Sequence, residues 1–172
     1  MRAGEQIAIK PEDIDFEGGV LHIRRALTLN ESGQKVMGTT KNRYSRRTIR
    51  LIPVMTEALK AQQAIHAQFG GHYFFCTTTG ARIDINNLRD RVWTPALKRA
   101  DLEYREMKQT RHSFATIALS CGENPLWIAQ VMGHRNTDMI IRVYSKYIEK
   151  AHGPKDGGFL NGVFQGDNGK EE

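Results

Sequence analysis

Cysteine is scarce in this sequence and poorly placed for bonding. Cys76 and Cys121 lie far apart with no Cys-x-x-Cys spacing, which argues against a disulfide framework and for a reducing, cytoplasmic setting. Also missing is any apolar run as long as a membrane span or a signal peptide, so no membrane partner is expected. His22, His66, His72 and His152 show no metal-ligand spacing, and no carboxylate cluster is suited to hold a cation. Neither a metal nor a cofactor is therefore expected. No internal repeat is visible, and 172 residues suit one compact domain with its own core.

Positive charge is what the chain has in excess, a net +6 at neutral pH. Such a balance favours a polyanionic partner or simply a soluble surface, and distribution decides between them. The stretch KNRYSRRTIR (41 to 50) holds Lys41, Arg43, Arg46, Arg47 and Arg50 with no acidic residue. Phosphate contact is expected there, against the blander reading of a solvated basic strand edge.

Along the chain, GEQIAIKPED reads as a short helix or turn stopped by Pro11, and Gly18-Gly19 as a bend. VLHIRRAL, QKVMGTT and RRTIRLIPV then read as three strands of a small antiparallel sheet, with Ile49 and Leu51 inward and Lys41 in or beside the turn joining the last two. From residue 54 the period becomes helical. One helix carries Met55, Leu59, Ile65 and Phe69 on one face and stops at Gly70-Gly71. A second, about 85 to 100, turns Leu88, Val92 and Trp93 inward, and HSFATIALSC places Phe114, Ile117, Ala118 and Cys121 on one stripe closed by Gly122. Asn124-Pro125 starts the helix PLWIAQVM, which Gly133 ends, and a last helix runs through Ile140, Val143, Tyr144 and Tyr147. Residues 151–172 are rich in glycine and poor in apolar side chains, a flexible C-terminal tail. The expected class is α+β, mainly α, with residues 1–150 as one domain.

Five separated motifs carry chemistry: MRAGEQ, TTKNRYSRRTI, KQTRHSFAT, GHRN and VYSKY. Their order and wording resemble the tyrosine recombinase (phage integrase) family, from Arg2 to about Tyr147. The resemblance implies the DNA breaking-rejoining catalytic fold and a site-specific recombinase acting on double-stranded DNA at attachment sites, as a homotetramer. It makes Arg2 and Arg111 the two catalytic arginines, Lys41 the lysine of the strand turn, His134 the third-motif histidine and Tyr144 the tyrosine that becomes joined to DNA. Glu5 and His112 take supporting places. Arg43, Arg46, Arg47 and Arg135 are expected to contact DNA, and a cytoplasmic protein so occupied would be found with the nucleoid.

The physical reason for such a set stands beside the resemblance. A phosphodiester is anionic, and its pentacoordinate transition state gathers further negative charge on the non-bridging oxygens. Paired guanidinium groups meet that charge and can each give two parallel hydrogen bonds. Tyrosine, with a reference pKa of about 10, needs cations nearby to attack. The departing 5′ oxygen needs a proton, which a lysine such as Lys41 can give.

Two features depart from the family pattern. Its second motif commonly reads His-x-x-Arg, whereas here Lys108 stands three before Arg111, suited to a phosphate contact or to an ordinary surface place. The family also carries helices and a core-binding domain ahead of the first arginine, so a chain with Arg2 near its start is expected to be incomplete at its N-terminus. Tyr147 is a rival nucleophile one helical turn beyond Tyr144. Two alternatives stay open: a type IB topoisomerase-like strand cleavage, and a non-catalytic helix-turn-helix module built from HSFATIALSCGENPLWIAQVMGH.

Overall fold

A computed structural model of the chain describes residues 1–39, 45–134, 137–138, 140–142 and 147. Helix α1 (Ala3–Gln6) and a 3-10 turn (Pro11–Asp13) precede five short strands: β1 (Ile14–Asp15), β2 (Val20–Ile23), β3 (Arg25–Leu29), β4 (Lys35–Thr39) and β5 (Arg47–Arg50). Helices α2 (Pro53–Phe69), α3 (Ile85–Leu88), α4 (Thr94–Arg99), α5 (Gln109–Ser120) and α6 (Pro125–Met132) follow. Residues 138 and 140–142 are again helical.

A three-stranded antiparallel sheet is present, but its strands differ from those expected. VLHIRRAL breaks at Arg24 into β2 and β3, and only β2 joins the sheet, ordered β1-β2-β5 with Leu21 opposite Ile49 and Ile23 opposite Arg47. β3 and β4 form a separate two-stranded ribbon. The break coincides with a buried carboxylate: Asp13 takes ion pairs from both Arg24 and Arg25, which turns consecutive arginines toward one point and interrupts the alternation of a strand.

Residues 85–99 form one helical stretch with a π turn at Arg89–Trp93 between α3 and α4. Thr94 donates its amide to the Arg89 carbonyl, and Pro95, which has no amide hydrogen, cannot continue the ordinary ladder. Val92 is 54% exposed, so the inward stripe expected through it is not formed. The stripe on α5 is shifted as well. Ala115, Ala118 and Leu119 are buried while Ile117 is 62% exposed and Cys121 is exposed.

Two apolar clusters share α6. Ile9, Ile14, Leu21, Ile23, Ile49, Phe74 and Val131 pack between the sheet and the helices, while Ala115, Ala118, Leu119, Ile128, Ala129, Met132 and Ile140 join α5, α6 and the segment after it. Consecutive residues Val131 and Met132 thus face different clusters. The C-terminal end of α6 is fixed from both sides, and the site forms around it.

Candidate active site

Helix α6 begins as the sequence suggests, with Asn124 Oδ1 accepting the Leu126 amide at 2.8 Å and Pro125 in the first turn. It ends at Gly133, whose φ of +69° lies in the left-handed region. His134 donates its amide to the Ala129 carbonyl at 2.9 Å and Gly133 donates to Gln130 at 3.0 Å, the paired closure of a Schellman motif. That leaves the next three carbonyls in sequence to find donors elsewhere.

Three arginines supply them. Arg47 Nε donates to the Val131 carbonyl at 2.8 Å, Arg111 Nη2 to Met132 at 2.5 Å and Arg2 Nη2 to Gly133 at 3.4 Å. The negative pole of a helix end favours cations there. Segments far apart in sequence, α1, β5 and α5, are thereby drawn to one turn.

Glu5 balances two of them, Arg2 and Arg47. Glu5 closes α1 by accepting the Arg2 amide at 2.8 Å and Arg2 Nη1 at 3.0 Å. It also receives Arg47 Nη1 at 3.2 Å and Nη2 at 2.8 Å. Burial opposes the Glu5 charge most strongly, yet the hydrogen bonds from Arg47 and the Arg2 amide, with both guanidinium charges, outweigh it and hold the carboxyl below its usual range. Gly4 permits the seat of α1, because a Cβ there would stand 2.6 Å from the Leu27 carbonyl oxygen of β3.

His134 follows directly, half-buried. Burial, then the charge of Arg111, then those of Arg2, Arg47 and His112, push its pKa below 6.5, which favours the neutral imidazole. A neutral ring offers one donor and one acceptor. Lys108 lies exposed at the start of α5, 2.7 Å from Glu106, and that hydrogen bond and charge raise its pKa.

Of the residues singled out from sequence, Arg2, Glu5, Arg111 and His134 converge. His112 lies exposed on α5 beside Arg111, and Arg46 is exposed ahead of β5. Arg47, expected at a DNA contact, has a side chain 4% exposed whose donors go to Glu5, Val131 and Ser45. The strand signal could have revealed this, since Arg47 has the parity of Ile49, the inward residue of β5. Tyr147 packs its ring against the α5–α6 cluster. Lys41, Arg43, Arg135, Tyr144 and the segment 151–172 lie outside the described residues. Among the described residues no group of His, Cys, Asp and Glu converges as a metal site requires, and no helix is long and apolar enough to cross a membrane.

Comparison with known proteins places this arrangement. A family model described as "Phage integrase family" matches residues 1–150. The chain is 31% identical to the prophage integrase IntR of Escherichia coli (strain K12), over 87% of this chain and 41% of that protein. It is 28% identical to a XerC-like tyrosine recombinase of Caldanaerobacter subterraneus, over 87% of this chain and 43% of that one. The chain therefore spans about two fifths of the length of the curated relatives it matches. Among solved structures, the Tn1549 transposon integrase in complex with transposon right end DNA superposes with a TM-score of 0.68 at 19% identity, covering 84% of this chain and 50% of that one. The last likeness shows a shared fold. The helix-turn-helix outline of α5 and α6 is real, yet a binding module is not what these relatives favour.

Proposed function

This chain belongs to the phage integrase family, and we propose that it cleaves and rejoins double-stranded DNA at attachment sites, as a site-specific recombinase of a phage or integrated mobile element. One observation carries the reading: three guanidinium groups gather at the end of α6, two of them also held by the Glu5 carboxylate, with the His134 imidazole beside them. The excess positive charge suits an anionic phosphodiester, and Arg2, half-exposed, opens the cluster to solvent.

Arg2 and Arg111 bind the non-bridging oxygens, whose charge rises in the transition state. The phenol oxygen of Tyr144 attacks phosphorus and gives its proton to solvent, the bond from phosphorus to the 5′ oxygen breaks, and Lys41 protonates that oxygen. A 3′-phosphotyrosyl link and a free 5′ hydroxyl result. The reverse attack by another strand rejoins DNA without an external energy source. His134 donates to the phosphate or the phenol oxygen, and Lys108 adds a phosphate contact. The packing of Tyr147 against the core supports Tyr144 over its neighbour as nucleophile. Exchange between two duplexes takes a homotetramer, working in the cytoplasm on the nucleoid.

Nicked duplexes of randomised sequence test the reading. The wild-type chain is expected to form an adduct that survives denaturation, one that Tyr144→Phe abolishes and Tyr147→Phe keeps. No adduct from the wild type would overturn cleavage by this chain, and an adduct from Tyr144→Phe would overturn the nucleophile.

A further inference from the structure

All three guanidinium nitrogens of Arg47 are bonded inside the protein. Nε reaches the Val131 carbonyl, Nη1 reaches Glu5 and the Ser45 carbonyl, and Nη2 reaches the other Glu5 oxygen, at 2.8 to 3.2 Å. Each partner belongs to a different functional segment. Glu5 fixes Arg2, Val131 lies two residues before Gly133, and Ser45 follows the stretch that contains Lys41.

The contact with the turn is close. A Cβ on Gly133 would stand 2.7 Å from Arg47 Nη1 and 2.9 Å from Cζ, so the guanidinium lies against the backbone that delivers His134. With its side chain 4% exposed, Arg47 has no surface to offer a DNA phosphate. A lysine could supply the charge but not the fork that spans both Glu5 oxygens and a carbonyl together.

We propose that Arg47 is a positioning residue, which sets Arg2, through Glu5, and His134, through the Gly133 turn, at a fixed mutual geometry around the scissile phosphate. This rests on the cleavage reading above. Misplacement of a catalytic group by about 1 Å can cost about 100-fold in rate, so the effect belongs to the chemical step and not to DNA affinity.

The test uses the 172-residue chain and single duplexes recovered from the randomised pool by the wild-type protein. Arg47→Met and Arg47→Lys are compared for duplex affinity, for the adduct rate at saturating duplex and for the fraction folded. Both variants are expected to bind duplex as the wild type does and to form adduct about 100-fold more slowly per folded molecule, with lysine giving no rescue. Wild-type rates per folded molecule in Arg47→Met, full rescue by lysine, or a loss confined to affinity would overturn the proposal. Hydrogen exchange at the His134 amide, bonded to Ala129, gives a reading that does not need cleavage. Faster exchange in folded Arg47→Met supports the proposal even if the wild type forms no adduct, and unchanged exchange overturns it.

Discussion

Arg47 and Glu5 meet in a two-point fork, Nη1 to Oε1 at 3.2 Å and Nη2 to Oε2 at 2.8 Å, with side chains 4% and 2% exposed. A buried ion pair is tolerated where further hydrogen bonds satisfy both partners, and here carbonyls at Val131 and Ser45 and the Arg2 amide do so. The same pair lets Arg2 and Arg111 stand close to a third guanidinium. Two of the site's guanidinium groups thus rest on one carboxylate, and all three reach the carbonyl end of α6.

Glu5→Gln leaves Arg47 buried with its charge uncompensated. A loss of about 3–5 kcal/mol in stability is expected, read by urea unfolding at pH 7. Glu5→Gln combined with Arg47→Met removes both charges and should lose less than the two single changes summed. Simple additivity would mean that the two side chains act independently. Because the Glu5 pKa is lowered on folding, the stability it contributes is present above pH 4.5 and is lost as pH falls through its native value.

Gly133 and Gly70 both end helices at positive φ, +69° and +62°. Around Gly70 a Cβ meets nothing within 4 Å, whereas at Gly133 it meets the Arg47 guanidinium. Gly70→Ala should therefore show only the left-handed backbone cost, about 1–2 kcal/mol. Gly133→Ala should cost more, and thermal unfolding of the two variants side by side measures the difference. Equal losses would remove Arg47 from the turn.

His134 should titrate below 6.5 in the folded chain, since burial and then Arg111, Arg2, Arg47 and His112 disfavour its charged form. Just below pH 6.5 the unfolded chain then binds more protons than the folded one, and this residue makes stability fall as pH falls. Carbon-bound ring protons followed by NMR give the midpoint directly. Arg47→Met, which takes a positive charge away, should move that midpoint upward. A wild-type midpoint above 6.5 would contradict the placing of the imidazole among the arginines.

Arg2 is half-exposed, and its pair with Glu5 is one that solvent screens. Arg2→Ala should lose at most about 1 kcal/mol in stability while slowing adduct formation by about 100- to 1,000-fold. Unfolding curves and adduct rates on one preparation separate the two effects. Equal small losses in both would reduce Arg2 to a structural role.

Local signals were well written in the sequence where one segment decides its own shape. Asn124-Pro125 and Gly133 bound α6 as read, because capping and left-handed closure are settled within a turn. The strand set was legible only in part. Arg24 breaks a continuous β pattern because of Asp13, a residue eleven positions earlier whose demand for partners no alternation reports. On α5 the small residues Ala115 and Ala118, not the larger Ile117, face α6, a choice made by close helix packing. Arg2, Arg111 and His134 were named from their motifs, and the structure brings the three together. What joins them was not legible, since the α6 carbonyls and the inward Arg47 become visible only when distant segments meet.

Which side chain takes the DNA phosphate tests the central claim most directly. The denaturation-resistant adduct formed on nicked DNA would be digested with protease and nuclease, and the peptide bearing the residual nucleotide sequenced by mass spectrometry. The expected result is a single phosphotyrosyl linkage at Tyr144. A nucleotide on Tyr147, on a serine, or on no peptide at all would contradict it.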